Sequence, residues 1–134
     1  MAEQRHVLVA DDEPHIGRII KTKLEQGPFR VTLVRDGGEA LAALVSEADI
    51  AVVLLDVMMP IHTGLEVLAQ MRSEPRHRET PVIILTAAGQ DSHRADALRL
   101  GAADFMTKPF SPKRLYARVA ELAGVATTDA ASDA

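Results

Sequence analysis

Six apolar residues run without interruption from Ile50 to Leu55, and a carboxylate, Asp56, follows at once. The whole stretch reads I-A-V-V-L-L-D-V-M-M-P. It is too short for an ordinary helix, it is rich in β-branched residues, and Pro60 marks a turn. A strand buried on both faces reads this way, and such strands occur mainly in parallel sheets covered by helices. Asp56 then stands just outside the carboxyl end of a strand, where open α/β sheets hold their ligands. A charge beside an apolar interior loses hydration, so Asp56 needs partners from elsewhere in the chain.

The remaining segments supply strands and helices in alternation. His6 to Ala10 is a short apolar strand, broken by Asp11-Asp12-Glu13-Pro14. Pro14 suits the first turn of a helix, and an acidic residue before it is expected to cap the free amides. Ile16, Ile19, Ile20 and Leu24 follow at helical spacing, and Gly27-Pro28 ends that helix. Phe29 to Val34 is a second strand, and Ala40, Leu41, Leu44 and Val45 mark a second helix. After the Ile50–Leu55 strand, Leu65, Leu68 and Met71 mark a third helix beyond Gly64. Pro81 to Leu85 is a buried strand closed by Thr86. Ser92 to Leu100 predicts a fourth helix with a thin apolar face, Ala95 and Leu98. Asp104 to Met106 is a brief strand closed by Thr107-Lys108-Pro109. Ser111-Pro112 opens a last helix with Leu115, Val119 and Leu122 on its apolar side, and Gly124 ends it. The stretch from 125 to 134 is small and polar without periodicity, so a disordered tail is expected there.

Five β-α units predict a parallel sheet with helices on both faces and right-handed crossovers. In such a sheet all strands end on one edge. Asp11 and Asp12 follow the first strand, Asp56 the third, Thr86 the fourth and Lys108 the fifth. Carboxylates, a hydroxyl and an ammonium then meet in one cleft. Carboxylates so close repel unless a cation or a proton intervenes. Few, hard oxygen ligands suit Mg²⁺, which keeps waters and completes its shell with phosphate oxygens.

Composition removes several alternatives. At 134 residues the chain has the size of one domain. A net charge of −4 gives no basic footprint for nucleic acid or an anionic membrane. There is no cysteine, hence no disulfide and no thiolate chemistry, which fits a cytoplasmic setting. No apolar run has the length needed to span a bilayer. The five histidines include His15 and His62, both expected near the cleft rim, but none has ligand spacing to another.

Four pieces now stand in order, each at the end of an expected strand: V-L-V-A-D-D-E-P, V-V-L-L-D-V-M-M-P with Gly64, I-I-L-T-A, and G-A-A-D-F-M-T-K-P-F. Together they resemble the receiver domains of two-component response regulators, chemotaxis regulators among them, over residues 5 to 124. The resemblance implies a flavodoxin-like, doubly wound α/β fold: a five-stranded parallel sheet in the order 2-1-3-4-5 with five helices. It implies that Asp56 accepts a phosphoryl group from the histidine of a partner kinase or phosphotransfer protein. Asp12 and the backbone carbonyl of Met58 would ligate Mg²⁺ with Asp56, and Asp11 would act largely through a bound water. Lys108 would pair with a phosphoryl oxygen, through a cis Lys108-Pro109 bond, and Thr86 would hydrogen-bond another. Phe105 occupies the place of an aromatic that moves with Thr86 in the family.

On this reading the protein is a cytoplasmic signalling switch rather than an enzyme, although it assists its own phosphorylation and dephosphorylation. Its partners are a kinase and a downstream output domain or protein, with no direct nucleic-acid contact. It either works alone or is the receiver piece of a longer regulator or hybrid kinase. Met58 and Ala88, two residues beyond Asp56 and Thr86, offer nothing to orient an attacking water, which implies slow dephosphorylation. The face of the fourth and fifth helices, by which DNA-binding members dimerise, matches one family charge pair, Asp104 with Arg118. Arg94 would face Arg114 and Arg99 would face Ala120, so that symmetric dimer is not expected; in the unphosphorylated state a monomer is expected. Two rival readings fare worse. Phosphohydrolases with an Asp nucleophile carry a second carboxylate two residues on, where Met58 stands, and no G-x-x-x-x-G-K-[ST] loop is present to bind a nucleotide. A receiver used only as a docking scaffold would not need the full set of Asp11, Asp12, Asp56, Thr86 and Lys108.

Overall fold

The computed structural model describes residues 4–47, 49–87 and 92–125. Ala88 and residues 126–134, where the tail was expected, lie outside the described residues. Strands and helices alternate as β1 (Arg5–Ala10), α1 (Pro14–Leu24), β2 (Phe29–Val34), α2 (Gly37–Ser46) and β3 (Ile50–Asp56). The second half continues as α3 (Gly64–Ser73), β4 (Val82–Ala87), α4 (Ser92–Arg99), β5 (Asp104–Lys108) and α5 (Pro112–Ala123). The strands form one parallel sheet in the order β2-β1-β3-β4-β5. This is the doubly wound, flavodoxin-like arrangement expected from the sequence.

Alternation along β3 divides the core in two. Val52 and Leu54 pack with Ile20 and Leu24 of α1 and with Leu115, Val119 and Ala120 of α5. Val53 and Leu55 face the other way, against Leu44 of α2, Val67, Leu68 and Met71 of α3, and Ala97 of α4. Every one of these side chains except Leu44 is essentially inaccessible to solvent. The uninterrupted apolar run is therefore what a central strand with a helix layer on each face requires.

Three details depart from the sequence reading. The acidic residue before Pro14 does not cap α1: Glu13 makes no side-chain bond to the helix amides. Its carboxylate goes instead to Lys108, a stronger, charge-assisted partner. The apolar side of α4 is not Ala95 and Leu98, which are exposed; Ala97 is its buried residue. An eight-residue helix at the side of a sheet rests on one small side chain and leaves no periodic stripe to read. Finally, β4 and β5 extend past their apolar residues, because the ladder continues through Thr86–Thr107 and Ala87–Lys108.

Two devices hold the loops around the sheet. The Arg72 guanidinium donates to the backbone carbonyls of His77, Arg78, Thr80, Leu100 and Gly101, tying the α3–β4 connection to the end of α4. Gly64 opens α3 directly against β3, where a Cβ would collide with the carbonyl oxygen of Asp56. Thr63 and Glu66 close a reciprocal capping box there and fix the angle at which α3 starts. Gly64→Ala is expected to lower stability by about 1–3 kcal/mol, the range for forcing a methyl into a filled site. Urea unfolding monitored by circular dichroism measures it; an unchanged midpoint contradicts the close approach.

Candidate functional site

The carboxyl edge of the sheet gathers the loops that follow β1, β3 and β5. Asp11 comes straight after β1, and its Oδ1 accepts the backbone N–H of Glu13 at 2.9 Å. That short turn holds the Asp11 carboxylate in a buried position, 1% exposed. Asp56 is the last residue of β3 and 4% exposed. Its Oδ1 accepts the Met58 N–H at 3.2 Å, so the Met58 peptide lies at the cleft. A carboxylate oxygen from each of Asp11, Asp12 and Asp56 lies within 4.8 Å of the others. Asp12 is the exposed member of the three.

Lys108, at the end of β5, reaches across this group. Its Nζ is 3.0 Å from Asp56 Oδ2, 3.0 Å from Asp11 Oδ2 and 2.7 Å from Glu13 Oε1. The bonds to Asp56 and Glu13 have good geometry. Asp11 Oδ2 is close to the ammonium yet has no hydrogen bond of its own. The Lys108–Pro109 peptide is cis, as the resemblance implied.

The charges perturb one another in identifiable ways. Burial pushes the Asp56 carboxyl up to about 6; the Lys108 hydrogen bond opposes this and the nearby Asp11 charge reinforces it. Burial pulls the Lys108 ammonium down, but its contacts with Glu13, Asp11 and Asp56 outweigh that and hold it above the usual lysine range. The hydrogen bond from Lys108 holds Glu13 below the usual carboxylate range. One ammonium therefore faces four carboxylates, those of Asp11, Asp12, Glu13 and Asp56. The excess of negative charge, the all-oxygen donor set and the unbonded buried Oδ2 of Asp11 fit a small hard cation such as Mg²⁺.

Asp11, Asp12, Asp56 and Lys108 are thus brought together. Thr86 ends on the same edge, one residue beyond the Leu85 that pairs with Asp56, and is fully buried. Among the described residues, its hydroxyl makes a 3.5 Å contact to the Ala87 carbonyl and none to the carboxylates. His62 lies 3.7 Å from Glu66 and His15 is exposed; neither belongs to the carboxylate cluster. Glu13 is the residue that sequence reasoning assigned elsewhere. Its signal was available: it extends the Asp11-Asp12 run on the edge where Lys108 ends its strand.

Comparison with known proteins points the same way. Residues 7–120 match the response regulator receiver domain family. The transcriptional regulatory protein SrrA of Staphylococcus aureus is 38% identical over 116 residues, which cover 87% of this chain and 46% of that protein. The chain therefore spans about half the length of the curated relatives it matches. The Francisella response regulator 1452 receiver domain is similar in structure, with a TM-score of 0.82 and 37% identity, covering 90% of this chain and 98% of that one. So is the receiver domain of a Pseudomonas aeruginosa sensor histidine kinase, with a TM-score of 0.81, 27% identity and coverage of 90% and 98%. That neighbour is described with a magnesium ion coordinated in its active-site cleft.

The raised Asp56 carboxyl has a thermodynamic consequence. An unfolded aspartate releases its proton near 4, whereas folded Asp56 keeps it to about 6. Between these values the folded chain holds more protons, so Asp56 subtracts from stability as pH rises and its full cost stands above about 6. Without divalent cation, Asp56→Asn is expected to raise stability at pH 7.5 by about 2 kcal/mol, and by little near pH 4. Thermal unfolding at both pH values measures this; destabilisation at pH 7.5 contradicts the electrostatic account.

Proposed function

The chain belongs to the response regulator receiver domain family, and on that premise we propose that Asp56 is its phosphoacceptor. The observation that carries the proposal is the Asp56 carboxylate at the end of β3, held 3.0 Å from the Lys108 ammonium and beside Asp11 and Asp12. Receiver domains of this family are signalling phosphoacceptors that work between histidine kinases and outputs. Here an Asp56 carboxylate oxygen attacks the phosphorus of a kinase phosphohistidine. The P–O bond forms as the P–N bond breaks, and the imidazole leaves and takes up a proton. Asp56 must be ionised to attack, and it is mostly so at neutral pH.

Phosphoryl transfer depends mainly on positioning and on neutralising the charge of the transferred oxygens. Asp11, Asp12, Asp56 and the Met58 carbonyl would hold Mg²⁺, which when bound supplies positive charge to those oxygens. Lys108 would supply a second positive charge to the phosphoryl oxygens. To do so it exchanges its contact with Asp56 for one with the phosphoryl group while Glu13 keeps it in place. The Thr86 hydroxyl, which makes a 3.5 Å contact to the Ala87 carbonyl, would hydrogen-bond the new anion. The exposed Met58 side chain has no group to orient a hydrolytic water, so the phosphorylated form should be long-lived. A cytoplasmic setting goes with this reading. Among the described residues, no helix is long and apolar enough to cross a membrane.

The α4–β5–α5 face bears on assembly. Arg118 forms its 2.9 Å ion pair with Asp104 within one chain and also bonds Glu121 and the Ala103 carbonyl. Arg99 pairs with Asp96 of its own helix, and Ala120 is fully buried. Arg94 lies over the ring of buried Phe105, 4.9 Å from its centre. The charges that would join two subunits are already engaged, and Arg94 and Arg114 would repel. We read this chain as a switch that does not form the symmetric dimer through this face, and whose face serves another partner.

Two outcomes are expected. Acetyl phosphate with Mg²⁺ adds one phosphoryl group to the chain by intact mass and none to Asp56→Asn; a full adduct on the variant overturns the assignment. Beryllofluoride-treated protein remains monomeric in light scattering. A dimer whose crystal structure opposes Arg94 to Arg114 would contradict the charge argument.

A further inference from the structure

At the amino edge of the sheet, opposite the Asp56 cleft, lies a histidine that the phosphoacceptor site does not use. His6, the second residue of β1, is 3% exposed. Its Nε2 lies 2.7 Å from the Thr32 hydroxyl on β2. Its Nδ1 is buried, has no hydrogen-bond partner, and faces Glu47 Oε1 at 3.5 Å. Glu47 caps the carboxyl end of α2 and Asp49 immediately precedes β3. One ligand atom from each of His6, Glu47 and Asp49 lies within 4.8 Å of the other two. The pairing of β1 with β3 slips register between His6 and Val7, an irregularity of the kind that re-aims a side chain.

The chemistry of the three groups is complementary to a cation and to little else. Burial lowers the His6 pKa and Arg30 adds to this, while Glu47 and Asp49 oppose without reversing it, so the ring is neutral. With its Nε2–H donated to Thr32, a neutral ring presents a lone pair at Nδ1. The carboxylate groups of Glu47 and Asp49 present only lone pairs as well. The other tautomer would send Nδ1–H toward Glu47 over 3.5 Å, beyond the usual hydrogen-bond range. Among the described residues, Arg30 is the cation that acts on the ring, and the two carboxylates outnumber it.

We propose that His6 Nδ1, Glu47 and Asp49 form a second cation site, for a divalent transition metal of the zinc type. A ring nitrogen with two carboxylates suits zinc, whereas Mg²⁺ and Ca²⁺ prefer oxygen alone. Three protein ligands leave a position for water. Thr32 plays the part of the outer partner that fixes the ring of a metal-bound histidine. A bound ion would tie the start of β1 to the connection entering β3, whose far end carries Asp56.

Calorimetric titration of the full chain with ZnCl₂, in excess Mg²⁺, tests the site. One zinc per chain is expected, with equal affinity in the parent and in Asp56→Asn. The surface double variant Glu47→Gln/Asp49→Asn, which leaves the buried ring in place, should bind about tenfold more weakly or worse. In the parent, zinc should shift the ¹⁵N resonance of His6 Nδ1. Absence of zinc binding, equal binding by the double variant, or loss of binding in Asp56→Asn would each overturn the proposal; the last would place the ion in the carboxyl-edge cleft.

Discussion

A carboxylate at the end of a buried strand needs an opposite charge, and in this protein one ammonium supplies it. Lys108 spans Asp11, Glu13 and Asp56 at 2.7–3.0 Å. The groups come from widely separated parts of the chain, and only the topology assembles them. A parallel sheet brings all its carboxyl ends to one edge, and the strand order sets β1 beside β3 and β4 between β3 and β5. The neutralisation is incomplete by design of composition: four carboxylates meet one cation. Burial, reinforced by the Asp11 charge, leaves Asp56 near its ionisation threshold, and the imbalance leaves the cleft receptive to further positive charge.

The same topology separates function from support. Residues pointing into the two core layers are apolar and closed to solvent, and chemistry is confined to the edges. At the carboxyl edge the donors are oxygens with an ammonium among them. At the amino edge a neutral imidazole faces two carboxylates. The two edges therefore suit cations of different character. β3 runs between them, which gives any ion at His6 a rigid connection to the strand that presents Asp56.

Much of this was legible before any coordinates. The Ile50–Leu55 run specified a central strand because few other structures bury six consecutive apolar residues without helical spacing. Asp11, Asp12, Asp56 and Lys108 could be grouped because strand ends share an edge, a rule independent of packing detail. What escaped was non-local or too short to be periodic. Glu13 obeyed a local rule, an acid before a helix-starting proline, until a lysine 95 positions away claimed it. The α4 face was misread because its one buried contact, Ala97, makes no pattern. His6 sits in an apolar run whose reading does not depend on it, and its neighbours Glu47 and Asp49 become relevant only when β3 is laid beside β1.

The proposed switch depends on Asp56 as the group that carries the phosphoryl bond. Borohydride reduction converts an aspartyl phosphate to homoserine, so it marks the acceptor permanently. The phosphorylated protein, reduced and digested, should yield homoserine at position 56 by tandem mass spectrometry, with Asp11 and Asp12 unchanged. Homoserine at either of those positions, or at none in a protein carrying a stable adduct, would contradict it.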